Sequence, residues 1–79
     1  MTEGLPGEGI VLWYNQTRGY GFITPDQPLP HGKPLFVHAT VVRKAGLVWL
    51  TEGQRVSFVA GDNEGRPCAL RVRVGMPAT

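Results

Sequence analysis

Cysteine occurs once in the 79 residues, at Cys68, so no internal disulfide can form and the small secreted folds held by disulfides are excluded. No apolar run comes near the roughly 18 residues that a membrane-spanning helix needs. The first nine residues contain Glu3 and Glu8 and have neither the basic start nor the apolar stretch of a signal peptide. A large excess of one charge is also missing: eight Lys and Arg against six Asp and Glu give a formal +2. Because Glu3 and Glu8 stand at the front, residues 9–79 hold eight bases against four acids, a net of +4. Such a mildly basic unit is compatible with a polyanionic partner. Together these absences point to one small soluble domain, cytoplasmic and without a membrane partner.

Long stretches free of glycine and proline are scarce too. The longest is Leu35 to Ala45, eleven residues rich in valine, while 11 glycines and 7 prolines are spread along the rest. Each Gly or Pro inside a helix costs about 1 or 3 kcal/mol respectively, which excludes a helix-built domain. The intervals between these breakers read as five strands, over Gly9–Asn15, Gly19–Thr24, Leu35–His38, Gln54–Ala60 and Cys68–Val74. Residues Ala39–Lys44 read as a turn or a single helical turn, and Gly61–Pro67 as a hairpin turn. Five short strands hide their edges by closing into a barrel, so the expected fold is all-β, a five-stranded antiparallel barrel over residues 9–74. Residues 1–8 and 75–79 are expected to be disordered tails.

What the sequence does have is aromatics in unusual places. Tyr20 and Phe22 are two residues apart and project from one sheet face, with Gly21 between them and Ile23 on the opposite face. A glycine there gives up strand propensity, for which close backbone approach or a flat surface is the usual reason. The third strand repeats the pattern, with Leu35 and Val37 on one side and Phe36 and His38 on the other. Aliphatics inward and rings outward is the economical assignment. On the first strand Trp13 joins the rings, and a bulge is needed if Val11 and Tyr14 are both to point inward. Trp13, Tyr20, Phe22, Phe36 and His38 then form one exposed patch, with Arg18 and Lys33 at its rim, which suits unpaired bases and their phosphates. Residues Arg18 to Ile23 also fit the first six positions of the RNP1 pattern, with Ile for Val.

Over Gly9–Val74 the chain resembles the bacterial cold-shock domain, through GIVLWYN (9–15), RGYGFITPD (18–26), LFVH (35–38) and LTEGQRVSF (50–58). The resemblance implies an OB-fold barrel that binds single-stranded RNA or DNA with little sequence specificity, as an RNA chaperone or antiterminator. The family's stacking positions fall on Trp13, Tyr20, Phe22, Phe36 and His38, and its basic motif position on Arg18. There are departures. The aromatic usual after the motif histidine is Ala39 here, and a loop aromatic is Leu47, with Trp49 two residues on. Trp49 is read either as a replacement ring for the nucleic acid or as a core or interface residue. Strand-one lysines of the family are Ile10 and Leu12, and the loop before strand three is longer and contains His31 and Lys33.

Other chemistry finds little support. His31, His38 and Cys68 are too few and too scattered for a metal, and no cofactor motif is present. His38 has no carboxylate or nucleophile near it in sequence to make it a general base, so no enzymatic activity is expected. Arg71 and Arg73 alternate with Val72 and Val74 and read as a solvated strand face rather than a second nucleic-acid groove. The alternative function is an interaction or oligomerisation module. A monomer is expected, and a homodimer would form through Leu12, Leu47 and Trp49, with Ile10 beside them, or by strand exchange.

Overall fold

Residues 4–29, 32–63 and 65–74 are described by the computed structural model. Alternation in the sequence becomes alternation across a sheet: Val56, Phe58 and Ala60 are buried while Arg55, Ser57 and Val59 between them face outward. The strands are β1 (Leu5–Asn15), β2 (Tyr20–Pro25), β3 (Leu35–His38), β4 (Arg55–Asn63) and β5 (Arg66–Val74), with one short helix, α1 (Ala39–Lys44), between β3 and β4. They close into a barrel in the order β1-β2-β3-β5-β4, the five-stranded OB-type architecture. β1 serves two neighbours, pairing with β4 through Leu5–Ile10 and with β2 through Gly9–Asn15.

One pair departs from the antiparallel expectation: β3 and β5 run parallel where Phe36 meets Cys68. A closed ring with an odd number of strands cannot alternate direction all the way round, so five strands require one parallel neighbour pair. The core is aliphatic apart from one ring, built from Val11, Ile23, Leu35, Val37, Val42, Leu50, Val56, Phe58, Ala60, Ala69 and Val72. α1 packs against β3 and β5 and contributes Val42 to this core. Among the described residues no helix is long and apolar enough to cross a membrane.

The expected tail at residues 1–8 is corrected in part. Residues 5–8 belong to β1 and pair with β4, Leu5 opposite Ala60 through to Glu8 opposite Ser57. Without them β4 would keep an open edge. The stretch is closely packed: a Cβ at Gly7 would stand 2.9 Å from the Phe58 ring. Residues 1–3 and 75–79 lie outside the described residues, as does His31. The hairpin turn is also shorter than expected, because Gly61–Asn63 and Arg66–Pro67 continue the β4–β5 ladder. Across the β1–β4 seam Arg55 reaches both Asp26 and Glu8, the latter at 3.4 Å. Asp26 first, then Glu8, push the Arg55 guanidinium above its ordinary value.

Candidate nucleic-acid interface

A bulge sets the first element of the site. Val11 pairs with Ile23, but Trp13 rather than Leu12 pairs with Phe22, so Leu12 is an extra residue. Val11 therefore points into the core, and the side-chain phase reverses after Leu12. Trp13 comes out on the same face as Phe22, while Tyr14 turns inward against the core. Without the extra residue Trp13 would point inward.

Gly21 shows why the two rings of β2 are separated by a glycine. It lies opposite Tyr14, and a Cβ there would collide with the Trp13 carbonyl oxygen and come within 2.7 Å of the Tyr14 Cα. The strands thus approach closely beneath the rings, and the Tyr14 ring occupies the space a side chain would take.

β3 completes the face. Phe36 lies opposite Phe22 and His38 opposite Tyr20. Ring centroids are 5.3 Å apart for Trp13–Phe22, 5.6 Å for Trp13–Tyr20, 5.8 Å for Phe22–Phe36, 5.6 Å for Tyr20–Phe36 and 6.3 Å for Phe36–His38. The rings are tilted or edge-on to one another, the geometry that aromatic quadrupoles favour. Each ring is thus supported by its neighbours while keeping surface in water: Tyr20, Phe22 and Phe36 are half-buried, and Trp13 and His38 are exposed. Held this way, they lose little conformational freedom when a ligand arrives.

The orientation of His38 is fixed by α1. Its Nδ1 accepts from the Thr40 backbone N–H at 3.1 Å, capping the helix, and lies 3.1 Å from the Thr40 hydroxyl. A nitrogen that accepts from N–H carries no proton, so the neutral ring has its proton on Nε2, a donor left for a ligand.

The cations stand at the edges. Arg18 is exposed in the β1–β2 turn, where its N–H bonds to the Asn15 side chain, at the end of the hairpin that carries Tyr20. Lys33 lines an open cleft of about 810 Å³ with Trp13, Tyr20, Phe22, Phe36 and Arg66. Arg66 was not among the residues singled out from the sequence, where it sat in an apparent turn. The extended hairpin places its guanidinium 5.6 Å from the Phe36 ring centroid, a cation–π contact.

Not every expected residue joins the cluster. Trp49 is 51% exposed, in the segment between α1 and β4, so it is not a core residue. Among the described residues no ring contact links it to the others. Leu47 packs against the core, which corrects its assignment to an exposed apolar surface; Ile10 and Leu12 are exposed as expected. Ala39 is buried at the first position of α1, and its N–H donates to the Gly19 carbonyl, so the position after His38 serves the helix start.

Residues 7–74 match the family described as the 'Cold-shock' DNA-binding domain. The chain belongs to the cold-shock domain family. It is 41% identical over 66 residues to the cold shock-like protein CspA of Bordetella pertussis, covering 84% of this chain and 94% of that protein. The cold shock protein CspV of Vibrio cholerae is 41% identical over 64 residues, covering 81% and 87% of the two chains. A cold shock-like protein CspA of Rickettsia bellii is 39% identical over 74 residues, 94% of this chain and 99% of that one. Membership in the cold-shock family makes this chain a nucleic-acid-binding protein, and the matched span includes the bulge, all three ring-bearing strands and the β4–β5 hairpin with Arg66.

Proposed function

We propose that this protein binds single-stranded RNA or DNA by stacking unpaired bases on Trp13, Tyr20, Phe22, Phe36 and His38, and acts as an RNA chaperone or antiterminator. One observation carries the reading: five rings share one sheet face in mutual contact and keep solvent-accessible surface, with Lys33 and Arg66 in the same cleft. Base–aromatic stacking contributes about 1–3 kcal/mol per base and accepts any base, since every base has a π-face. Arg18, Lys33 and Arg66 supply the attraction for phosphates, and the Nε2 proton of His38 supplies a hydrogen bond. A duplex keeps its bases stacked and presents no free π-face, so the same surface selects unpaired strands. Binding those strands alone shifts a hairpin toward its open form by mass action, with no chemical step.

Trp49 extends the contact for a strand that runs beyond the ring cluster, on the segment that hydrogen-bonds to β1 through Gly53 and Gln54. The interaction-module reading is weaker, because Leu47, one of its residues, packs against the core.

Titration with oligothymidine, read by tryptophan fluorescence, tests the proposal. A Trp49→Phe variant isolates Trp13, whose emission should be quenched on binding at micromolar strand or below. With about three phosphates neutralised, the log–log salt slope should be near −2. An absence of quenching at tens of micromolar strand, or equal affinity for a matched duplex, overturns the stacking mechanism. Size-exclusion chromatography with and without the strand separates a binding monomer from a dimer formed through Leu12 and Trp49.

A further inference from the structure

On the outer face of β1, β4 and β5, away from the rings, two registers run across three strands: Glu8–Ser57–Arg73 and Pro6–Val59–Arg71. α1 adds Val41, Lys44 and Ala45 to the same broad concavity, which Leu70 also lines. Three cations therefore line it, Lys44, Arg71 and Arg73. Its one acid among the described lining residues, Glu8, is held by Arg55. Among the described residues Lys44, Arg71 and Arg73 make no ion pair. An exposed strand face needs no cations grouped in a hollow, where they repel one another until an anion enters.

We propose that this groove is a second nucleic-acid site, which takes the phosphate backbone of a strand continuing past the ring platform. The inference rests on the chain's being a single-strand binder. Its second support is continuity. β5 carries Arg66 in the ring cleft and Arg71 and Arg73 in the groove, so one strand joins the two surfaces over about 23 Å at about 3.3 Å per residue. The two sites differ in kind. The first has stacked rings and reads bases; the second offers apolar side chains and cations but no exposed ring, and it holds backbone only. A short strand fills the ring platform, whereas a longer one also reaches the groove.

The test compares a six-residue and an eighteen-residue oligothymidine on wild type and on the Lys44→Gln/Arg71→Gln/Arg73→Gln variant. The hexamer should bind both proteins within twofold. The 18-mer should bind the variant about tenfold more weakly, with a log–log salt slope shallower by about 2, the value for three phosphate contacts. Arg71→Lys/Arg73→Lys should keep wild-type behaviour, which separates lost charge from damaged folding. Equal losses for the two lengths, or an unchanged 18-mer, overturn the proposal. So does polyglutamate that binds the wild type, and not the variant, without displacing the 18-mer, which would assign the groove to an acidic protein. A Phe22→Ala/Phe36→Ala protein gives an independent arm: it should lose the hexamer and keep salt-sensitive binding of the 18-mer. If wild type fails to bind the hexamer, the ring-platform reading falls, while the 18-mer comparison still decides on the groove.

Discussion

The two sides of the β2–β3 pair differ by a single residue step and have different tasks. Inward, Ile23, Leu35 and Val37 have no exposed surface at all. Outward, Tyr20, Phe22 and Phe36 lie only half-buried, each touching other rings. The largest side chains of these strands are thus kept out of the core, and branched aliphatics with fixed rotamers fill it. On the proposed reading, stability and binding are separated by strand parity. A substitution on one face should be nearly silent on the other.

The sharpest way to break this division is on the ring side. Phe22→Ala combined with Phe36→Ala should remove about 2–6 kcal/mol of binding, two stacking contributions, while far-ultraviolet circular dichroism stays that of the folded barrel. A double variant that unfolds at room temperature would mean the rings belong to the core after all. The converse is Leu35→Ala, expected to cost about 2–5 kcal/mol of stability. Domains of this size have little more than that in total, so denaturant melts should show a largely unfolded population at 37 °C. Where the folded fraction persists, at low temperature, its affinity for oligothymidine should match the wild type.

Much of this division was legible in the sequence because side-chain parity within a strand is a local property. Tyr20 and Phe22 against Ile23, and Phe36 and His38 against Leu35 and Val37, needed only a period of two. The bulge was legible for the same reason: Val11, Trp13 and Tyr14 could not all be satisfied by a regular strand. Strand ends were harder, since they depend on partners distant in the chain. Residues 5–8 become strand only because β4 lies beside them, and a run of Gly and Pro carries no local sign of that. Arg66 escaped notice likewise. Its proximity to Phe36 follows from the β3–β5 closure, across thirty residues of sequence.

At Gly21 the two faces are not independent. Gly21→Ala sets a methyl group against the β1 backbone, with the Tyr14 ring below and Trp13 adjacent. Overpacking of this kind costs about 1–3 kcal/mol. Because the strain moves β1, both the melting temperature and the affinity should fall, unlike in either substitution above. Arg66→Gln sharpens the comparison from the rim. It removes a cation–π contact of about 0.5–1 kcal/mol together with one proposed phosphate contact. Oligothymidine should bind a few-fold more weakly, with the salt slope reduced by about 0.7 and the melting temperature lowered by a few degrees at most.

The smallest effect lies beneath the ring face. Cys68 is buried on β5 at the point where β5 meets Phe36 of β3. Burial, with a lesser contribution from the charge of Asp62, pushes the thiol above its ordinary value of 9.0. In the unfolded chain the thiol ionises at that ordinary value, whereas the folded protein holds the proton to higher pH. Between the two values the unfolded state binds fewer protons, so the stability of the fold must decline as pH rises. The slope contributed by one such group is at most about 1.4 kcal/mol per pH unit. Cys68→Ala lacks it and shares every other titrating group. The difference in unfolding free energy between the two proteins should therefore be flat from pH 6 to 8 and then narrow in favour of the variant above about pH 9. A parallel pair of curves through pH 10 would mean that the thiol is hydrated in the native barrel, and that the β3–β5 seam under Phe36 opens to water.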